Sequence, residues 1–99
     1  MYRRILRRMQ ARIRRRQYVM TLHADEEMGE DGLSVYDVER GTLSGVILER
    51  QHDRLSGEGK YRLRGQIVAG GRVEVVAKIG PTNLLVIITV YALGETETE

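Results

Sequence analysis

The sequence predicts a single α+β domain in which helices precede an antiparallel sheet. Three observations support this prediction. Hydrophobic residues recur with a helical period before Gly45, and they alternate with a period of two after it. Turn signals rich in glycine separate the alternating segments. The length of 99 residues suits one domain with one modest core.

Residues 2 to about 18, YRRILRRMQARIRRRQY, have the pattern of an amphipathic helix. Their apolar side chains fall within one arc of about 100°, and arginines cover the rest of the helix. The apolar members are Tyr2, Ile5, Leu6, Met9 and Ile13. The helix therefore has one face to bury, and we treat residues 1–17 as a basic helical arm.

Two shorter helices are predicted next. Thr21 is a suitable N-cap for a helix that runs to about Asp31, and Gly32 suits its C-terminal end. Ser34 is a suitable N-cap for a third short helix, because Asp37 stands at its N3 position. The apolar anchors expected for this third helix are Val35, Val38 and Leu43.

The alternating part of the chain predicts four antiparallel strands at residues 46–53, 60–68, 72–80 and 84–93. The second strand has an apolar face of Tyr61, Leu63 and Ile67 and a basic face of Lys60, Arg62, Arg64 and Gln66. Gly70 and Gly71 predict a tight hairpin after it. The last strand is apolar on both faces, which is typical of a central strand covered on both sides. We therefore expect a single α+β domain over residues 18–93 and a disordered acidic tail over residues 94–99.

The charge of the chain is divided unevenly along its length. The first 16 residues contain eight arginines and no acidic residue, which gives a charge of +8. The remaining residues carry eight Lys or Arg against fourteen Asp or Glu, which gives −6. The formal net charge of +2 therefore conceals a basic arm on an acidic body.

The basic arm has two interpretations that the sequence leaves open. In the first, the arm binds nucleic-acid phosphates, an anionic membrane surface or an acidic protein partner. In the second, its apolar stripe packs on the protein's own sheet or on a second copy of the chain. Packing on a second copy would make a homo-oligomer. The residues expected to contact nucleic acid are Arg3, Arg4, Arg7, Arg8, Arg12, Arg15, Lys60 and Lys78.

Composition narrows the class of protein further. The chain has no cysteine, so disulfides and thiolate metal sites are excluded. The longest apolar run, Leu84 to Leu93, has about half the length that a membrane span needs. The basic N-terminus is not followed by the apolar stretch of a signal peptide. We expect a cytoplasmic protein with no membrane span, no metal and no cofactor.

Several short motifs occur in a fixed order between residues of about 18 and 92. They are HA…M, GLS…DV, a Y…G strand and a final IITVY strand, which here are His23, Ala24, Met28, Gly32, Leu33, Ser34, Asp37, Val38, Tyr61, Gly65 and residues 87–91. As a set they resemble domain-of-unknown-function family 4258. That family is similar in layout to the RelE-like toxins and other small ribonucleases. The resemblance implies an RNA-cleaving or RNA-binding role, often held in check by an antitoxin partner.

Metal-free RNA cleavage needs a base, an acid and cations around the phosphorus. The candidate catalytic residues are His23, Arg62, Arg64 and Tyr91, which would converge if the helix bearing His23 crossed the sheet. Each also has a structural interpretation. A lone histidine in the first turn of a helix is more often a hydrogen-bonded structural group, and a strand tyrosine is more often part of the core. The leading hypothesis is a small RelE-like protein acting on RNA. The alternative is a non-catalytic interaction module that uses the arginine helix.

Overall fold

The computed structural model describes residues 1–52, 54–55 and 57–94 and confirms the α+β class. The predicted tail lies outside these residues apart from Gly94. The elements are α1 (Arg3–Arg14), β1 (Tyr18–Met20), α2 (Leu22–Glu30), α3 (Val35–Ser44), β2 (Val46–His52), β3 (Gly59–Gln66), β4 (Arg72–Ile79) and β5 (Leu85–Leu93). No helix within the described ranges is long and apolar enough to cross a membrane.

The sheet has five strands in the order β1-β5-β4-β3-β2, so the predicted four-stranded antiparallel sheet is wrong in two respects. The additional strand is β1, and it pairs parallel to β5, with Tyr18 opposite Leu85 and Met20 opposite Ile87. The other pairs are antiparallel. With only three residues, β1 is too short to show alternation, and the sequence pattern assigned Tyr18 to the end of the first helix.

The apolar stripe predicted for α1 is confirmed, and it packs against the domain's own core. Met9 and Ile13 are buried, and Ile5 packs against the same cluster. The Gln10 amide donates to the carbonyl oxygens of Thr42 and Leu43, so α1 also satisfies the end of α3. Residues 1–17 therefore share one core with the rest of the chain.

Both predicted helix caps are confirmed. The Thr21 hydroxyl accepts the Ala24 N–H at 3.1 Å, and Ser34 forms a capping box with Asp37. Of the three apolar anchors predicted for α3, only Val38 is buried; Val35 and Leu43 are exposed. The inner face of α3 instead includes two small residues, Gly41 and Thr42.

Gly41 of α3 and Gly65 of β3 lie in direct backbone contact. A Cβ atom on Gly65 would stand 1.9 Å from the Gly41 carbonyl oxygen, and a Cβ on Gly41 would stand 2.4 Å from Cγ1 of Val73. Only glycine leaves space for this approach. The contact sets how closely α3 packs on the sheet, and it explains why Gly41 is retained inside a helix.

The prediction that β5 is covered on both sides is wrong in part. Leu85, Ile87 and Val90 are fully buried under the helices, but the intervening side chains of this strand are only half-buried. The outer edge of β5 is covered in two ways. β1 pairs with its first half, and α2 lies beside its second half.

Two carboxylates, one on α2 and one on its C-cap residue, occupy this edge in place of a neighbouring strand. The Glu27 side chain accepts the Val90 N–H at 3.0 Å, and the Asp31 side chain accepts the Ala92 N–H at 2.8 Å. The two acids are one helical turn apart, so they match alternate donors on the strand. They satisfy backbone donors that would otherwise form an open sheet edge.

Gly65→Ala should lower the free energy of unfolding by about 3 kcal/mol or more, because the new Cβ overlaps backbone that cannot rotate away. The matched control is Gly29→Ala in α2, where a Cβ meets nothing within 4 Å. That change should stabilise the protein by up to about 1 kcal/mol through helix propensity. Urea unfolding measures both values. Equal effects of the two substitutions would contradict the close contact.

Glu27→Ala should lower the free energy of unfolding by about 1–3 kcal/mol, because it leaves the Val90 N–H without an acceptor. Glu26→Ala is the control, since Glu26 is an exposed acid on the same helix. Hydrogen exchange at the Val90 amide should become faster in the first variant and stay unchanged in the second. Unchanged exchange in both would show that the carboxylate does not seal the edge.

Candidate functional site

A polar cluster built around Glu74 occupies the sheet face opposite the helices. Glu74 is only 2% exposed, and its carboxylate accepts hydrogen bonds from three side chains. Arg62 Nη1 lies 3.0 Å away, Arg64 Nη2 lies 2.5 Å away, and the Tyr91 hydroxyl lies 2.5 Å away. Arg62 also donates to Glu49 at 2.8 Å.

Strand pairing brings these residues together. Arg64, Glu74 and Tyr91 are directly opposite one another on β3, β4 and β5, and Arg62 is opposite Glu49 on β2. Because side chains alternate along a strand, all of them point to one face of the sheet. The cluster thus spans the four antiparallel strands.

Hydrogen bonds and ion pairs within the cluster shift the pKa values of its members. Burial would raise the pKa of Glu74, but hydrogen bonds from Tyr91, Arg64 and Arg62 outweigh burial and hold it below its ordinary value. Burial and the bond to Glu74 raise the pKa of Tyr91 to about 12. Hydrogen bonds to Glu49 and Glu74 raise the pKa of Arg62. Two arginines and two glutamates therefore neutralise one another, and Tyr91 stays protonated at neutral pH.

His23 lies apart from this cluster, at the surface. Its side chain is 65% exposed, and Nε2 stands 3.3 Å from the Glu27 carboxylate. His23 is therefore a surface residue that contacts Glu27 one turn along α2, and it is not part of the core. His23 borders a depression of about 230 Å³ together with Glu27, Glu30, Asp31 and Tyr91. Three carboxylates in one small depression disfavour an incoming phosphate.

The four predicted catalytic residues are therefore brought together only in part. Tyr91 belongs both to the Glu74 cluster and to the depression beside His23. Arg62 and Arg64 are joined to Tyr91 through Glu74, and neither borders that depression. In the described part of the chain, no three His, Asp or Glu side chains form a group that could hold a metal ion.

The residues predicted to contact nucleic acid fall into three groups, and Arg14 and Arg16, which were not predicted, lie with the first group. Seven arginines form the exposed side of α1 and the residues just after it, and we call them the arginine face: Arg3, Arg4, Arg7, Arg8, Arg14, Arg15 and Arg16. Arg12 is half-buried and donates to the backbone and side-chain oxygens of Asn83, each at 2.8 Å. Lys78 is paired with Glu58 at 3.2 Å, and Lys60 is half-buried. In the described part of the chain, the exposed arginines are thus concentrated on α1 and the residues just after it.

A second basic feature was not predicted from the sequence. A cleft of about 590 Å³ lies between α1, the β2–β3 connection and the β4–β5 turn, and we call it the basic cleft. Its lining includes Ile5, Arg8, Arg50, Gly59, Tyr61 and Asn83. These residues come from four separate segments of the chain, so no local motif reveals the cleft.

With the geometry described, comparison with known proteins adds one result. Residues 20–92 match the family described as a domain of unknown function, DUF4258. The chain belongs to this family. The DUF4258 match covers α2 to β5 except Leu93, reaches only Met20 of β1 and leaves out α1, as the motifs predicted. Comparisons with curated proteins and with solved structures gave no match.

The residues that sequence reasoning missed are chiefly acids within the DUF4258 region. Glu74 alternates with apolar neighbours in RVEVVAKI, so its position on the outer face was readable from the strand pattern. Its partnership with Arg62 and Arg64 depends on the register between β3 and β4. Sequence alone therefore presented the two arginines as free cations.

Glu74→Gln should lower the free energy of unfolding near neutral pH by about 2 kcal/mol, because two arginines lose a charged acceptor. The pKa of Glu74 lies below its ordinary value of 4.5. Its contribution is therefore complete above pH 4.5 and is lost as the pH falls through the lowered pKa. Denaturant unfolding from pH 7 to pH 3 should show a weaker acid-induced loss in the variant.

Glu49→Gln is the control for this experiment, since it removes the same charge from a more exposed partner of Arg62. Its effect on the free energy of unfolding should be much smaller than that of Glu74→Gln, because solvent screens the more exposed pair. If the two substitutions had the same pH dependence, Glu74 would not be the centre of the cluster.

Proposed function

We propose that this protein is an RNA-binding relative of the RelE-like toxins that contacts the RNA backbone through the arginine face of α1. The observation that carries the proposal is the way in which α1 docks. Its apolar stripe is buried in the core, so its arginines point outward as a fixed array. Among the described residues, no acidic side chain is paired with these arginines.

The first acidic residue of the chain is Asp25, so the segment that bears the arginines has no neutralising neighbour in sequence. Arg3, Arg4 and Arg7 also border a common depression with Met1, of about 610 Å³. Guanidinium groups bind phosphate oxygens through paired hydrogen bonds. A group of exposed arginines on one rigid helix is therefore suited to a polyanionic backbone. The RelE-like resemblance favours RNA over DNA.

The same geometry disfavours two other uses of α1. A helix that lies in a membrane surface must insert its apolar face into the lipid. Met9 and Ile13 are already buried in the protein, so this face is occupied. Self-association by pairing the stripes of two copies is disfavoured for the same reason. An acidic, antitoxin-like protein that competes for the arginine face remains compatible with the proposal.

The proposal concerns binding and does not include cleavage. Arg62 and Arg64 are held by Glu74, so they are already neutralised on the sheet. Tyr91 has a pKa of about 12, which makes it a weak proton donor at neutral pH. The depression beside His23 is acidic. The arginines proposed to bind RNA are therefore not among the predicted catalytic residues.

The double substitution of Arg3 and Arg7 by Gln should weaken binding to single-stranded RNA and reduce its dependence on salt. Each lost phosphate contact lowers the slope of log affinity against log salt by about 0.7, so the expected reduction is about 1.4. Fluorescence anisotropy with a labelled oligonucleotide over a salt series measures both quantities.

The matched control replaces Arg40 and Arg54 by Gln. Both are exposed arginines outside α1, and the net charge changes by the same amount. This control should leave the slope nearly unchanged. Equal slopes for the two variants would show that total charge, and not the arginine face, governs binding.

A further inference from the structure

The basic cleft contains two arginines that form no ion pair within the described part of the protein. Arg8 reaches it from α1 and Arg50 from β2. Within residues 1–52, 54–55 and 57–94, neither guanidinium has a hydrogen-bond or ion-pair partner. The acid that lines the cleft in this part of the chain, Glu58, is drawn to Lys78 at 3.2 Å. Two arginines without an acidic partner therefore face one space, and the described acid that lines it is paired with Lys78.

The position of Arg50 depends on a glycine. A Cβ atom on Gly59 would lie 2.6 Å from Nε and 2.7 Å from Nη2 of Arg50. The guanidinium therefore rests against the Gly59 backbone in a space that any other residue would fill. Gly59 is opposite His52 in the sheet and two residues before Tyr61, the partner of Arg50, so this contact belongs to the paired strands.

The walls of the cleft are tied to each other. Arg12 joins α1 to the β4–β5 turn through two hydrogen bonds to Asn83. Tyr2 contacts Tyr61 edge to face, with ring centroids 6.0 Å apart, which joins the start of α1 to β3. These contacts hold Arg8 in a fixed relation to the sheet. The cleft is thus present before any ligand arrives, which lowers the entropic cost of binding.

We propose that the basic cleft binds the phosphate group of a nucleotide. Arg8 and Arg50 supply forked donors for the phosphate oxygens. Tyr61, Ile5 and Ile79 supply an aromatic and apolar wall beside them, which suits a nucleobase. The volume of about 590 Å³ exceeds the needs of a bare phosphate, and it lies within the range of roughly 300–1,000 Å³ typical of small-molecule sites.

The nucleotide has two sources that share this chemistry: a free nucleoside monophosphate, or the 5′-phosphorylated end of an RNA strand. Nucleotide binding in the basic cleft does not depend on RNA binding by the arginine face, because a free nucleotide would occupy only the cleft. Its phosphate carries the same charged oxygens in both cases. The two sources are therefore separated by experiment.

Isothermal titration calorimetry of the full chain with AMP and UMP tests the first source. Fluorescence anisotropy with a short RNA, with and without a 5′-phosphate, tests the second. The test variants are Arg50→Gln and Arg8→Gln, and the control is Arg40→Gln, an exposed arginine of α3 that does not line the cleft. Each test variant should weaken nucleotide binding about tenfold, as expected for loss of one charged hydrogen bond.

Gly59→Ala provides an independent check, because it keeps both arginines but displaces Arg50. It should weaken phosphate binding while the charge of the protein stays the same. Binding of AMP or UMP that is lost in Arg50→Gln supports a free nucleotide as the ligand. A preference for the phosphorylated RNA that disappears in Arg50→Gln supports the strand end.

The proposal is overturned if neither free nucleotides nor the 5′-phosphate of RNA gives binding that depends on Arg50. It is also overturned if Arg40→Gln reduces binding as much as Arg50→Gln. The Arg3 and Arg7 double variant separates this result from the proposed function. That variant should retain nucleotide binding in the basic cleft even though its affinity for long RNA falls.

Discussion

Burial of Met9 and Ile13 fixes the position of α1, and most of the functional geometry depends on that position. Each buried apolar side chain of this size contributes about 1.5–3 kcal/mol. Because the stripe packs on the core, the arginines on the other side of the helix face the solvent. Arg8 then borders the basic cleft, and Arg12 reaches the β4–β5 turn. One hydrophobic contact therefore orients both basic surfaces.

The chain handles its positive charge in two contrasting ways. On the sheet, Arg62 and Arg64 surround the buried Glu74, and Tyr91 completes the set. This arrangement satisfies a buried carboxylate that would be costly alone. On α1 the arginines have solvent rather than carboxylates around them. The arginines without acidic partners therefore lie on α1 and in the basic cleft, and those of the sheet cluster are neutralised by Glu74.

Acidic residues have a structural use that their position in a helix does not reveal. Glu27 and Asp31 accept the N–H groups of Val90 and Ala92, and so continue at the edge of β5 what β1 begins. The i, i+4 spacing was visible in the sequence, but the strand it faces was not. The same limitation applied to Gly41 and Gly65, whose contact joins two elements distant in the chain.

Local chemistry in the sequence determined the helix caps at Thr21 and Ser34, the apolar stripe of α1, the change of period at Gly45 and the membership of DUF4258. The caps, the stripe and the change of period depend on residues within a few positions of one another, and the family depends on short motifs in a fixed order along the chain. Tertiary structure alone decided the parallel pairing of β1 with β5, the neutralisation of Arg62 and Arg64 by Glu74, and the meeting of Arg8 with Arg50. Each of these depends on strand register and helix docking. The residues involved are far apart in the sequence, so no short sequence pattern shows that they meet.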